Sequence, residues 1–546
     1  MVSVIGNTLY SNHMQAVISG LKAAAAIVRC PLKSIAKSLP VFIRQILQVV
    51  KQTGSTEAEV VQTAFKSLAT ILREQPVAQI KEKDLVFLLE LLSPDLEEPS
   101  RQTAVFTMLK AIVARKFVVP EIYDLMDRVS EIMVTNQSPS VQEQCRAILL
   151  QFLLDYPQGK GRLRNHMTFL AKNLSYVHES GRKSCMELLS VILAKFDPAL
   201  IREHSDLLFV ALVLDIANDE SSKCREMASE LVKNLFARLE EAQRRIVMTH
   251  VHTWASQRAQ PQLARVSSQI YGILIDHLQG DVAQYASGTL EDLNSILDST
   301  CKLLEEKEQG DESAMDVDVE WQIPYQALNA LSKLLRVLPD LAPQPDKVIW
   351  PNVIKLFLFP HAWVRTGACR LLGVLFSAVP ASAPRKVLDD SSPFSLVGME
   401  DVAKKLCLQL RSEHLDATLS LQIVKNLFYV GKCFCMYEAT LFAEDEGSDD
   451  EGENGVDEAE EGEQEETESS TRHPLSWLFS KLSFQARSAH IARRNKSFSA
   501  VSHEAWSADL ILTCFCRTTG PISRHPSFAG LLRWSRSWRH PRWKDS

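Results

Sequence analysis

Residues Ser138 to Phe196 read SPSVQEQCRAILLQFLLDYPQGKGRLRNHMTFLAKNLSYVHESGRKSCMELLSVILAKF. Within them Cys145, Leu149 and Leu153 stand four residues apart, and Cys185, Leu189 and Leu193 repeat the pattern 40 residues later. Side chains four apart share one face of an α-helix, so each triple marks an apolar stripe. Between the stripes, Asp155-Tyr156-Pro157-Gln158-Gly159-Lys160-Gly161-Arg162 is a turn rich in helix breakers. The stretch therefore reads as one unit of paired helices followed by a second copy.

The same triple recurs outward in both directions. It occurs at Ala64, Leu68, Leu72 and at Ala104, Met108, Ile112 before this stretch. After it come Ala228, Val232, Phe236, then Val266, Ile270, Leu274. Following an interruption it returns at Ala327, Leu331, Leu335 and at Ala368, Leu372, Phe376, with a weaker copy at Ser420, Val424, Phe428. Any amphipathic helix gives one such triple, but a series near a constant period marks a repeat. A period of about 40–47 residues with two or three helices per unit is that of HEAT and armadillo arrays. The expected fold is an all-α, HEAT/armadillo-like helical-repeat solenoid with a disordered acidic insert and tail. A non-repetitive helical bundle is the alternative. Strand signals are scarce, with no Asn-Gly or Asp-Gly hairpin between alternating runs.

Punctuation agrees with helices. Ser138-Pro139-Ser140 and Glu98-Pro99-Ser100 precede second helices, with Ser as N-cap. Pro157, Pro198, Pro339 and Pro380 follow helices and would block their continuation. Val364-Arg365 enters its helix after a turn, as HEAT second helices often do.

A chain of 546 residues is too long for a single hydrophobic core. The pattern divides it into repeats over 1–300, an acidic inter-repeat loop over 301–323 and further repeats over 324–440. Ala381 to Ser395, rich in Ser, Pro and Asp, reads as a shorter loop. Then come a disordered acidic tract over 441–472, a helical segment over 473–496 and a divergent, disordered basic tail over 497–546. The net charge of −7 conceals this division: Glu444 to Glu468 holds 15 acidic residues and no basic ones, so the remainder is net basic. Such a tract buries too little apolar area to offset the entropy of ordering. Ser448, in Gly-Ser-Asp-Asp-Glu, is a candidate site for an acid-directed kinase; the alternative is that the tract is a passive solubilising spacer.

No run approaches 18 consecutive apolar residues, and no basic segment precedes the apolar stretch Ala16 to Val28, so neither a membrane span nor a secretory signal is expected. The 11 cysteines do not read as a disulfide framework: Cys145, Cys185, Cys224 and Cys369 sit inside helical patterns as small core residues, a usage that suits a reducing compartment. Cys433-Phe434-Cys435 and Cys514-Phe515-Cys516 lack zinc spacing, and His250-Val251-His252 reads as exposed polar surface. Gly159-Lys160-Gly161 lacks the flanking glycine and Ser/Thr of a phosphate loop: Leu154 and Gly161 occupy those positions. No H-E-x-x-H, G-x-S-x-G or G-x-G-x-x-G motif occurs, so no catalytic residue, metal, cofactor or small-molecule substrate is expected. The positive signal is electrostatic. Lys160, Arg162 and Arg164 cluster at one inter-helix turn, and Arg182 and Lys183 begin the next second helix. Together they are candidate RNA-phosphate contacts, which would give affinity without sequence reading; the alternative is a solvated charged face. Aromatic residues are not interleaved with them in sequence.

Four blocks carry a family likeness: LLDYPQGKGRL (Leu153 to Leu163), FLAKNLSYVHESGRKS (Phe169 to Ser184), FPHAWVRTGACRLLG (Phe359 to Gly373) and HPLSWLFSKLSFQAR (His473 to Arg487). In these blocks the chain resembles the family of small-subunit processome component 20, large nucleolar helical-repeat proteins. The likeness covers most of Met1 to about Lys496. It implies a non-enzymatic scaffold in the nucleus and nucleolus, associated with pre-rRNA, the U-three small nucleolar RNA particle and other processome proteins. The scaffold would act in pre-rRNA processing toward 18S rRNA and the small ribosomal subunit. Against the family, the chain looks like a C-terminal portion, and its last fifty or so residues do not continue the family's sequence. The alternative reading is a solenoid adaptor between proteins, of the transport-receptor or phosphatase-scaffold type.

Overall fold

The computed structural model describes residues 2–32, 35–257, 260–308, 320–379, 394–410 and 415–445. Helices and their turns account for the described residues, with no strand among them. The chain divides into two compact units, Met1–Thr249 and His250–Ser546.

In the first unit the helices are α1 (Val2–Thr8), α2 (Met14–Ile27), α3 (Ile35–Thr53), α4 (Glu59–Glu74), α5 (Glu82–Leu92) and α6 (Gln102–Ala114). They continue with α7 (Pro120–Thr135), α8 (Pro139–Asp155), α9 (Gly159–Asn173), α10 (Glu179–Lys195), α11 (Pro198–Asn218) and α12 (Ser222–Arg238). Helix α13 (Glu241–Ser256) carries the unit boundary. The second unit adds α14 (Pro261–Leu278), α15 (Ala286–Glu308), α16 (Gln322–Val337), α17 (Trp350–Lys355), α18 (Ala362–Ala378), α19 (Leu396–Gln409) and α20 (Ala417–Asp445).

Consecutive helices pair, as α7 with α8 and α11 with α12, because the connections are too short to allow anything but an antiparallel return. Second helices then lie side by side: α2, α4, α6, α8, α10 and α12 in the first unit, and α14, α16, α18 and α20 in the second. The sequence triples are the seam of this stacking. Each of the eight strong triples is buried, Leu149, Leu189 and Leu372 among them. In the weak copy Ser420 is buried, whereas Val424 and Phe428 are only half-buried. Small first members such as Ala64, Ala104, Ala228, Ala327 and Ala368 let the neighbouring helix close in without a void. The cysteines on this seam behave as core: burial pushes the thiols of Cys145, Cys185 and Cys369 up to about 12.

A second periodic device holds the turns. The side chain of Gln102 donates to the carbonyl of Leu96 at 2.9 Å, and Gln142 to that of Asn136 at 2.8 Å. Arg182 reaches Tyr176 at 2.9 Å, Arg225 reaches Asp219 at 2.5 Å and Arg365 reaches Phe359 at 2.8 Å. In every case a donor at the start of a second helix reaches back six residues and satisfies a carbonyl left open at the turn. Val364-Arg365 is therefore the start of a second helix, as its sequence indicated.

Capping differs in detail from the sequence reading. Ser138 occupies the N-cap of α8, but its side chain makes no cap bond; its N–H instead donates to the Asn136 side chain at 2.8 Å. Ser100 lies ahead of the cap of α6, which is Arg101. Of the loop expected over 301–323, residues up to Glu308 are helical in α15 and Gln322 opens α16; 309–319 lie outside the described residues. The loop expected over Ala381 to Ser395 lies outside them up to 393, as do the acidic tract beyond Asp445 with Ser448, the segment 473–496 and the tail 497–546. Among the described residues no helix is long and apolar enough to cross a membrane.

Candidate nucleic-acid interface

Helix α9 begins at Gly159, so Lys160, Arg162 and Arg164 occupy its first turns rather than the preceding loop. Gly159 has φ +60°, a conformation that other residues adopt only under strain, and this turn geometry accounts for the glycine without any phosphate loop. The first turn of α9 carries no acidic residue. Cations at a helix N-terminus oppose its dipole by about 0.3–1 kcal/mol each, and a bound anion would relieve that cost.

The structure divides the five predicted residues. Arg162 and Arg164 are exposed and form no ion pair among the described residues. The guanidinium of Arg162 lies 3.8 Å from the ring centre of Tyr123, on α7. At that distance the cation lies over the π-face of the ring, a cation–π contact that uses no carboxylate partner. The side chain of Lys160 lies outside the described residues.

Arg182 is committed elsewhere. Its Nε and a terminal nitrogen donate to both carboxylate oxygens of Asp219, at 2.7 and 2.9 Å, and its other terminal nitrogen holds the carbonyls of Tyr176 and Val177. Asp219 also accepts the Ser221 N–H at 2.7 Å. Burial works to raise the Asp219 carboxyl, but the hydrogen bonds from Arg182, Ser221 and Asp215 outweigh it and hold the group below the usual carboxylate range. Burial, followed by the adjacent Asp219 charge, pushes Asp215 up to about 7. Lys183 pairs with Glu179 one turn back on α10. Of the five predicted residues, Arg162 and Arg164 are thus the exposed ones without an ion pair among the described residues, with Arg162 over the Tyr123 ring.

Sequence reasoning missed a polar group in the second unit, built on the buried Asp292. Nδ1 of His252 lies 2.8 and 2.9 Å from the two oxygens of Asp292, and Tyr271 donates to the same carboxylate. His252 is exposed, as its sequence indicated, and its ring is held by a buried carboxylate. Burial raises the pKa of Asp292 despite these bonds, and burial with the Asp292 contact raises that of Tyr271. The three residues tie α13, α14 and α15 together. Among the described residues no group of three potential ligands could hold a metal ion.

Stacked helix pairs of fixed period, with a buried seam and a turn-clamping donor, define a helical-repeat protein of the HEAT/armadillo class. No family model matches the chain. The U3 small nucleolar RNA-associated protein 20 of Schizosaccharomyces pombe is 33% identical over 437 residues, covering 79% of this chain and 17% of that protein. Its namesake from Saccharomyces cerevisiae is 30% identical over 432 residues, covering 78% of this chain and 16% of that protein. The chain is related to the U3 small nucleolar RNA-associated protein 20 family, and it spans about one sixth of the length of these relatives. Among solved structures, Kap121p bound to Pho4p overlaps with a TM-score of 0.42 at 14% identity, covering 80% of this chain and 42% of that one. Importin beta overlaps at 0.34 and 13%, covering 79% and 54%.

Proposed function

We propose that the chain is a non-enzymatic scaffold of the nucleolar small-subunit processome, acting in pre-rRNA processing toward 18S rRNA and small-subunit biogenesis. The observation that carries this reading is the relationship to two proteins named for association with the U3 small nucleolar RNA. The exposed Arg162 and Arg164 on the first turns of α9 support it with a basic patch suited to sequence-independent contact with RNA phosphates. Lys160, on the same turns, belongs to this proposal, whereas Arg182 and Lys183 act in it by fixing the fold of the next repeat. Partners are pre-rRNA, the U3 particle and other processome proteins, and the location is the nucleolus. Ser448 is proposed as a phosphorylation site on the acidic tract.

The test is affinity purification of the tagged chain from nucleolar extract, with and without nuclease. Recovery of the U3 RNA, with release of the protein partners by nuclease, is the expected result. Partners that persist undiminished after nuclease, with no U3 RNA recovered, would show a protein adaptor instead.

A further inference from the structure

In the second unit the neighbouring second helices α16, α18 and α20 leave a cleft of about 500 Å³ between them. Three cations line it, Arg336, Arg370 and Lys425. None of them forms an ion pair among the described residues. Other second-helix cations of this unit do: Lys333 meets Asp276 at 2.6 Å and Arg265 meets Glu320 at 3.7 Å. At the cleft floor Gly373 lets Gln422 of α20 approach α18 closely. A Cβ at Gly373 would lie 2.5 Å from the Gln422 amide nitrogen. Three like charges around one concavity repel each other and focus a positive potential into it.

The other polar groups of the cleft are already engaged. Asn426 donates to the carbonyl of Cys369 at 2.8 Å, and Gln422 donates to Asn426 at 3.1 Å. Tyr429 donates to the carbonyl of Val379, and its ring stacks on Phe376 with centres 3.9 Å apart. An occupant would thus meet cations against a rigid aromatic wall.

The same helix α18 carries a second feature. Trp363 is 53% exposed, unusual for so large an apolar side chain. It packs edge-on against Trp321, with ring centres 5.4 Å apart, and lies 5.6 Å from Tyr325. Trp321 in turn stacks flat on His361 at 4.0 Å. Trp363, Arg370 and Ser377 stand at i, i+7 and i+14 on α18, so they share one helix face. Trp363 and Arg370 are then about 10 Å apart along the helix axis, given a rise of about 1.5 Å per residue.

We propose that this face is a binding path for single-stranded RNA, with bases stacking on the Trp363 platform and phosphates entering the Arg336–Arg370–Lys425 cleft. Guanidinium forks match phosphate oxygens in pairs, and exposed aromatic rings accept any base face. The aromatic platform is what selects RNA over an acidic protein segment, because carboxylates need the cations but no stacking surface. The inference rests on the RNA-scaffold reading only for the biological source of the strand.

The test uses the full chain, a fluorescent 20-mer of oligouridine and a poly-glutamate peptide of matched charge, with anisotropy read across a salt series. The variants are Arg336→Gln/Arg370→Gln/Lys425→Gln, Trp363→Ala, Trp363→Phe and, for the separate α9 patch, Arg162→Gln/Arg164→Gln. The cleft triple is expected to weaken oligouridine binding at least tenfold and to flatten the slope of log K against log salt by about 2, since each single-strand phosphate contact contributes about 0.7. Trp363→Ala is expected to weaken binding about tenfold with the slope unchanged, and Trp363→Phe to restore most of it. Ultraviolet crosslinks in the unaltered chain are expected in peptides containing Trp363 or Tyr429. Unchanged affinity and slope in the cleft triple, crosslinks confined to the α9 region, or tighter binding of the peptide than of the oligonucleotide would overturn the proposal. If only the α9 variant loses binding, the α9 contacts stand and the cleft proposal falls; if only the cleft triple does, the cleft stands and the α9 contacts fall.

Discussion

The second-helix face of the first unit and the cleft of the second are built on the same kind of seam but treat their cations in opposite ways. In the first unit Arg146 on α8 reaches across to Ser184 at 2.9 Å and Glu187 at 2.7 Å on α10. Arg182 on α10 clamps Asp219, before α12, and Arg101 bonds Glu57, before α4, at 2.8 Å. Cations there join one repeat to another. Around the cleft of the second unit Arg336, Arg370 and Lys425 form no ion pair among the described residues, although Lys333 and Arg265 of the same unit do. One repeat pattern therefore supports two uses of the same residue types, and geometry separates them where sequence position does not.

The seam common to both units should give the largest effect. Leu149 and Leu372 are each essentially inaccessible to solvent. Placing an aspartate at either buries a charge with no partner, which we expect to cost more than about 4 kcal/mol in chemical denaturation. A loss below about 1 kcal/mol at one position but not the other would show that the two units are not built on the same seam.

Removing a cross-repeat clamp comes next. In Asp219→Ala the Arg182 guanidinium keeps its two carbonyls but loses its carboxylate, while its side chain stays only 13% exposed. Breaking such a pair leaves a poorly solvated charge, for an expected loss of about 3 kcal/mol. A double-mutant cycle with Arg182→Met checks it: a coupling near zero would mean that the clamp is not a stabilising unit.

The same cluster sets a pH dependence with two separate windows. Asp215 has a folded pKa raised to about 7, by burial and then by the Asp219 charge, and one of its oxygens is buried without a partner. A raised folded pKa means that the folded state holds the proton more tightly. The contribution of Asp215 is therefore full below the ordinary carboxyl range and is lost as pH rises from about 4 through about 7. Asp219, held below the ordinary range, loses its contribution only as pH falls further into acid. Asp215→Asn should flatten the pH 4–7 profile and gain roughly 2 kcal/mol at pH 8, after discounting for solvent screening. A wild-type profile flat over pH 4–8 would contradict it.

What the sequence made legible follows the same physical line. A buried stripe must recur with the helical period and with the repeat, so the triples were readable, and the weak copy at Ser420, Val424 and Phe428 proved to be the half-buried one. The turn-clamping donors were readable in principle, as Gln102, Gln142, Arg182 and Arg225 recur at steps of 40, 40 and 43. The cation partners were not. Arg182 finds Asp219 at a separation of 37 residues, and Arg162 finds Tyr123 on a neighbouring repeat, so no local pattern distinguishes a clamped arginine from an open one. The His252–Asp292–Tyr271 group spans three helices and was illegible for the same reason.

The smallest expected effect is the sharpest test of the comparison. Arg370 lines the cleft, half-buried, with no carboxylate to satisfy and no carbonyl clamp among the described residues. Its neighbours Arg336 and Lys425 are like charges. Replacing it with Gln removes repulsion as well as packing of the aliphatic stem, and the two changes oppose each other. Arg370→Gln should therefore alter stability by no more than about 0.5 kcal/mol, the range of substitutions that break no buried network. Arg182→Gln, by contrast, breaks the Asp219 clamp and should lose about 3 kcal/mol. Equal losses from the two in parallel denaturant titrations would mean that Arg370 carries a structural bond of its own, and that the unpaired cations of the second unit belong to the fold rather than to a ligand.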